Sequence, residues 1–159
     1  VDSAEDMLEI GRKKILKKNL KNVITLQKGD SEDLHFDSFS FDAAMVAFGV
    51  RNFENLEKGL AEMFRVLKPG GMILVREFSK PAKFPVKQLY HFYFRNVLPL
   101  MGRMISGDSS AYTYLPESVG AFPAGEEFLN VLRKIGFENS FHRPLTFGIA
   151  SIYSAKKPV

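Results

Sequence analysis

Phe64-Arg65-Val66-Leu67-Lys68-Pro69-Gly70-Gly71-Met72-Ile73-Leu74-Val75 decides the fold, because a helical pattern stops at Pro-Gly-Gly and an apolar run starts directly after it. Upstream, Leu56, Leu60, Met63, Phe64 and Leu67 recur at helical spacing. Asn55 is placed to cap the start, and Lys58 and Glu62 fall on the solvated side. Pro69 cannot continue a helix, and the two glycines permit a left-handed turn into extended chain. The unbroken run 72–75 predicts a strand buried on both faces, as in a parallel sheet. Helix 55–67, a tight turn and strand 72–78 form one α-to-β unit.

The same rhythm extends outward in both directions. Residues 4–18 read as a helix with Ser3 as cap and Met7, Leu8, Ile15 and Leu16 as its apolar positions. Residues 23–27 read as a short strand, and 41–48 as another whose apolar centre Ala43-Ala44-Met45-Val46-Ala47 ends at Gly49. Helix 126–135 ends at Gly136, and strands 137–143 and 149–155 close the chain as a hairpin-like pair. Alternating elements of this kind predict an α/β doubly wound sheet, which binds ligands at the carboxyl ends of its strands.

Composition sets the outer limits. With 159 residues, 45% of them hydrophobic, the chain suits one packed core and is short for two. It has no run near 18 uninterrupted apolar residues and opens with no signal-peptide pattern, so a soluble protein is expected. Zero cysteines exclude a disulfide framework, a thiolate metal site and a cysteine nucleophile. The net charge of +4 comes partly from Arg12, Lys13, Lys14, Lys17, Lys18 and Lys21, which read as the solvated face of the first helix. No zinc spacing, RNA-binding aromatic motif or recognition-helix pattern accompanies them, so nucleic acid is not an expected partner.

The predicted strand ends carry polar residues. Val1-Asp2 has the character of a strand end, Asp30-Ser31 follows the strand at 23–27, Gly49-Val50-Arg51-Asn52 follows the next, and Glu77-Phe78-Ser79 closes strand 72–78. An acid just after a strand accepts both hydroxyls of a ribose, the place Asp2 occupies. Asp30 is placed to accept from an exocyclic adenine amine, with Met7 and Leu8 packing on the ring. The competing reading is that both aspartates are ordinary caps or turn residues. Taken together, the residues describe a nucleoside pocket.

Val1-Asp2 with Met7-Leu8, Gly29-Asp30, Phe41-Asp42, Phe48-Gly49-Val50-Arg51-Asn52-Phe53 and Arg65 to Gly71 ending in Glu77-Phe78-Ser79 closely resemble the UbiE/MenG family. These are the S-adenosylmethionine-dependent C-methyltransferases of menaquinone and ubiquinone biosynthesis. The resemblance continues through Ser110-Ala111-Tyr112-Thr113-Tyr114-Leu115, Ser118-Val119, Phe122-Pro123, Gly136-Phe137 and Thr146-Phe147-Gly148-Ile149, and so covers essentially the whole chain. Arg76 departs from it, standing where the family usually has an apolar residue. The resemblance implies a Rossmann-like class I methyltransferase sheet with an aromatic helical insertion at about 84–120. It also implies a helical substrate-binding segment and a first strand ending in a Gly-x-Gly loop, and the sequence from Val1 contains neither. Gly11 and Gly29 do not substitute, since neither lies in a Gly-rich strand-to-helix turn. A chain truncated in this way is expected to bind its cofactor weakly and to expose a sheet edge, favouring a homo-oligomer or a domain swap.

Site roles follow from the same resemblance. It gives S-adenosylmethionine as cofactor, held by Asp2, Met7, Asp30, Ser31 and Phe48, and a prenylated quinol as methyl acceptor. Arg51 and Asn52 would orient a water that takes the acceptor's phenolic proton, while the Arg51 cation stabilises the phenolate; Arg itself stays protonated. The alternative for Arg51 is a structural pairing with Glu54 or Glu77 at the helix start. Among the three histidines, His35 and His142 read as solvated or structural. His91 lies in the aromatic segment 84–101, where Phe92, Phe94, Leu98 and Met101 would line a groove for an isoprenoid tail or touch the membrane surface. Tyr112, Tyr114 and Ser118 would close the site on the substrate. The resemblance implies a cytoplasmic enzyme working peripherally at the membrane. Two other readings stay open: a class I methyltransferase acting on another small lipid-like acceptor, and a non-catalytic methyltransferase-like module.

Overall fold

The computed structural model describes residues 1–97 and 110–159. Its centre is a four-stranded sheet in the order β1-β2-β4-β3, with β1 at Phe41–Ala47, β2 at Leu67–Phe78, β3 at Glu138–Leu145 and β4 at Ala150–Lys156. β1 and β2 are parallel and joined through α2 (Leu56–Val66), whereas β4 runs antiparallel to both β2 and β3. α1 (Glu5–Lys17) precedes the sheet. Between β2 and β3 come α3 (Val86–Phe92), a π turn (Tyr93–Val97), α4 (Ser110–Ala121) and α5 (Glu126–Ile135). No helix among the described residues is long and apolar enough to cross a membrane.

The handover at Pro-Gly-Gly is tighter than its pattern suggests. α2 stops at Val66, and Leu67 is already extended and pairs with Phe41. Pro69-Gly70-Gly71 therefore lies within β2 as an irregularity, where the register jumps from Phe41 opposite Leu67 to Ala43 opposite Met72. The two glycines serve different needs: Gly70 has φ +76, while a Cβ on Gly71 would stand 2.8 Å from the Lys68 carbonyl oxygen and 3.1 Å from that of Asp42. Lys157 seals the junction. Its backbone N–H donates to the Gly71 carbonyl (2.8 Å), and its Nζ donates to the carbonyls of Phe64 (2.6 Å) and Leu67 (2.8 Å) between the Phe39 and Phe64 rings. A cation thus meets carbonyls at the end of α2 that have no helical partner. Burial pushes the Lys157 ammonium below its ordinary pKa.

The core lies on one face of the sheet. Leu60 and Met63 of α2 and Phe128, Leu129 and Leu132 of α5 pack with Ile73, Val75 and Tyr153. α5 has the bounds its pattern predicts and ends on left-handed Gly136. The expectation that 72–75 is buried on both faces is not met: Ile73 and Val75 are buried, but Met72 is exposed, as are Met45 (75%) and Phe141 on the same side. No described helix covers that face, so the strand alternates although its sequence does not.

Two N-terminal expectations also change. Residues 23–27 do not form a strand: among the described residues the adjoining ladder is a single bridge between Asp2 and Lys28, where Asp2 N–H donates to Gln27 O and Gly29 N–H to Asp2 O, both at 3.1 Å. One residue of partner backbone cannot sustain a strand, and Val23 and Ile24 are exposed. Ser3 does not cap α1; Ala4 holds the cap position and gives its N–H to Asp2 Oδ1 (2.9 Å). Of the helix's apolar positions, Leu8 is buried while Met7 and Leu16 face solvent.

Candidate active site

At the carboxyl ends of the parallel pair, the chain leaves β1 through Phe48 in a left-handed conformation (φ 58). The Phe48 N–H extends the ladder to the Arg76 carbonyl (2.8 Å), and its ring packs on Phe78 at 4.4 Å. Arg76 lays its guanidinium over the Phe48 ring at 5.0 Å, which gives this unusual residue a packing role at the strand end. A single 3-10 turn follows, Val50–Asn52, anchored by fully buried Val50.

That turn puts Arg51 into a closed set of contacts. Glu77 is fully buried and accepts three hydrogen bonds: from Arg51 Nη1 (2.8 Å) and Phe78 N–H (2.8 Å) on Oε1, and from Arg51 N–H (3.3 Å) on Oε2. A buried carboxylate needs such pairing, because desolvation otherwise outweighs its attraction to one partner. Arg51 Nη1 also donates to the Phe48 carbonyl, and Nε donates to Ser118 Oγ at 3.3 Å. Nη2 has no acceptor among the described residues, so the guanidinium retains donors for a ligand. The pairing with Glu77 that stood as the alternative for Arg51 is therefore real, and it leaves this capacity intact.

α4 closes over the same turn. The Tyr114 hydroxyl donates to Asn52 Oδ1 (2.9 Å), and Ser118 both receives Arg51 and donates to the Leu115 carbonyl. Tyr114 and Ser118 thus contact the Arg51–Asn52 turn, while the side chain of Tyr112 lies outside the described residues, as do Leu98 and Met101.

Beside the turn lies an open cleft of about 1110 Å³ between β1 and the wall formed by residues 1–3 and 25–32. Asp2, Asp30, Ser31, Phe48 and Asn52 all line it. This exceeds the ~300–1,000 Å³ of ordinary ligand pockets, because one side is β1, whose outer edge has no neighbouring strand among the described residues. The two aspartates share one construction. Asp2 Oδ1 accepts from Ala4 N–H and Asp30 Oδ1 from Glu32 N–H, both at 2.9 Å, so each spends one oxygen on a local turn. Their Oδ2 atoms receive no donor among the described residues. Met7 is exposed and does not line the cleft, and His91 stands in solvent on α3 beside Tyr90; neither is brought to the site.

Two ties escaped the sequence reading. Glu62, expected in solvent, clamps the wall: it accepts Leu34 N–H (2.9 Å) and pairs with Arg65, which itself donates to the carbonyls of Leu34 and Phe36, both at 2.8 Å. Hydrogen bonding from Arg65 holds the Glu62 carboxyl below the usual carboxylate range. Their i, i+3 spacing was the available signal. Glu32 adds a second tie by accepting Asn55 N–H at 2.8 Å. His142, read as solvated or structural, stands at the end of a chain of hydroxyls. Ser79 donates to the Gly148 carbonyl, so it must accept from Ser151, which must in turn accept from His142 Nε2–H. Burial pushes the imidazole below its ordinary pKa, partly countered by Glu126.

Comparison with known proteins fits this geometry. The profile of the ubiE/COQ5 methyltransferase family matches residues 1–157. The demethylmenaquinone methyltransferase of Bacteroides fragilis is 46% identical over 156 residues, spanning 98% of this chain and 64% of that protein. The ubiquinone/menaquinone biosynthesis C-methyltransferase UbiE of Geotalea daltonii is 43% identical over 157 residues, spanning 99% and 66%. The chain therefore spans about two thirds of the length of the curated relatives it matches. Among solved structures, a SAM-dependent methyltransferase from Aquifex aeolicus superposes with a TM-score of 0.66 at 18% identity, covering 98% of this chain and 65% of that one, which establishes the Rossmann-like fold. The match along essentially its whole length establishes that this chain belongs to the ubiE/COQ5 methyltransferase family.

Proposed function

We propose that the protein transfers a methyl group from S-adenosylmethionine to a ring carbon of a prenylated quinol of the demethylmenaquinol class. The observation that carries this reading is the Arg51–Asn52 turn, gripped by Glu77 beneath and α4 above, beside a cleft that bears Asp2 and Asp30. The names of the curated relatives support a quinone-pathway acceptor.

The residues present suit the nucleoside half of the cofactor. Asp2 Oδ2 would accept from the ribose hydroxyls, Asp30 and Ser31 would meet the adenine edge, and the Phe48 ring would bound the pocket. When bound, S-adenosylmethionine supplies an activated methyl on a sulfonium, so the chain's own task is to align the acceptor and make its ring electron-rich. An unperturbed phenol has a pKa near ~10 and needs help to ionise at neutral pH. Arg51 Nη2 supplies N–H donors to the phenolate oxygen, and the Asn52 amide holds the water that takes the proton. Because Glu77 neutralises the guanidinium, Arg51 acts through oriented hydrogen bonds more than through free charge. Glu77 spends both oxygens on its three donors and serves to hold the guanidinium.

The test is methylation of a demethylmenaquinol by the full-length protein, with product detected by mass. Arg51→Met should lower turnover by about 100-fold or more while leaving cofactor affinity unchanged. Near-normal turnover would refute the role of Arg51, and failure on every prenylated quinol would refute the acceptor class. The outer edge of β1, which has no neighbouring strand among the described residues, supports self-association; a strictly monomeric species by light scattering counts against it.

A further inference from the structure

We propose that Tyr114 is a positioning residue that fixes which end of the Asn52 amide a ligand meets. The two neighbouring side chains of the Val50–Asn52 turn are held very unequally. Arg51 is tied by Glu77, by the Phe48 carbonyl and by Ser118. The Asn52 side chain has one partner among the described residues, the Tyr114 hydroxyl, which donates to Oδ1 at 2.9 Å. Asn52 lines the cleft, and its Nδ2 has no acceptor among the described residues. With Oδ1 taken, the amide meets the cleft as a donor only. A half-turn of the amide would exchange Nδ2 for Oδ1 and present an acceptor in the same place.

Tyr114 is poorly placed for a packing role. Its ring is half-exposed, whereas α4 is anchored further along, where Val119 and Phe122 are buried and Lys80 Nζ donates to the Gly120 carbonyl at 3.0 Å. Pro116 stands inside α4 between Tyr114 and those anchors and has no N–H to give the turn before it. The turn that carries Tyr114 therefore lacks one helical bond to the anchored part, and the hydroxyl ties it to Asn52 instead. Tyr114 and Ser118, an i, i+4 pair on one helix face, address the two consecutive residues Asn52 and Arg51. The consequence for chemistry rests on the function proposed above. Nδ2 grips a water through one oxygen lone pair, and the second lone pair stays free to take the acceptor's phenolic proton. With Oδ1 forward, the grip would pass to a water hydrogen and hold the oxygen at a different place and angle. Negative charge developing on the acceptor also favours a donor in the site over a carbonyl oxygen.

The test uses the full-length protein, with Tyr114→Phe removing the hydroxyl alone. Melting should be unchanged, since the ring is kept and is half-exposed. NMR relaxation should show the Asn52 side-chain amide more mobile in this variant, a readout that needs no turnover. With a demethylmenaquinol at neutral pH, kcat should fall about tenfold with KM unchanged. The deficit should close as pH approaches the ~10 of a free phenol, where the acceptor ionises unaided. In an Asn52→Ala background the same change should cost nothing further, because its effect passes through the amide. An Asn52 amide as ordered as in the wild type overturns the proposal. So does a raised KM with unchanged kcat, which makes Tyr114 a direct substrate contact, and so does an undiminished loss in the Asn52→Ala background. If the wild type methylates no prenylated quinol, the acceptor class falls, and the mobility of the amide still decides the role of Tyr114.

Discussion

The two walls of the site are built by opposite means. The Arg51–Asn52 turn is fixed from beneath by a carboxylate that is fully buried and from above by two side chains of α4, contacts between residues 26 to 67 positions apart. The Asp2–Asp30 wall is shaped mainly by turns in which each aspartate bonds the N–H two residues ahead, by one bridge, and by the Glu62–Arg65 and Glu32 ties. The contrast teaches where pre-organisation comes from. A group that must keep a guanidinium in one orientation is held by the core, whereas carboxylates that only need to present an acceptor can rest on local turns.

The largest effect should come from breaking the clamp. Glu77→Ala leaves Arg51 with an unpaired, poorly solvated charge and should cost about 3–5 kcal/mol of unfolding free energy, read by urea denaturation. Arg51→Met/Glu77→Met should recover most of that stability, because removing both charges removes the desolvation problem, and turnover should stay lost. Wild-type stability in the Glu77 variant would dissolve the distinction between the walls. On the other wall, Asp2→Asn and Asp30→Asn keep the Oδ1 acceptor and so spare the turns. Each should shift stability by less than ~0.5 kcal/mol yet weaken S-adenosylhomocysteine binding by about tenfold or more, read by calorimetry. A loss of stability with no loss of binding would make them turn residues alone. The smallest effect is acid release of the Glu62 clamp. Its carboxyl titrates lower when folded than the ~4.3 of a free glutamate, so its contribution is fully present above that value and fades as pH falls through the folded pKa. Protection of the Leu34 amide from exchange should fall over that window, and Glu62→Gln should abolish the dependence.

Much of this was legible because it is local. Helix α5 and its Gly136 stop, the α2-to-β2 junction and the closing strands each follow from spacing and punctuation within a dozen residues. The pairing of Arg51 with Glu77 could be entertained from the strand-end rule, which lays the ends of adjacent parallel strands side by side. Met7 was misjudged because helical spacing does not say which neighbour a face will meet, and it is exposed. Residues 23–27 were misjudged because β propensity needs a partner strand to become a ladder. Lys157 left no signal, since the carbonyls it meets come from a helix end some 90 positions away.

By itself the sequence determined the elements from residue 41 to 78 and from 126 onward, the family, and the acids and the Arg-Asn pair near the strand ends, because each is written in contiguous residues. Only the tertiary structure decided that the Pro-Gly-Gly turn is absorbed into β2, that Met45, Met72 and Phe141 on one sheet face are exposed, and that Arg51 is held between Glu77 and Ser118. Those outcomes depend on which surfaces find partners and which charges lose their water. Both are properties of neighbours brought together by folding.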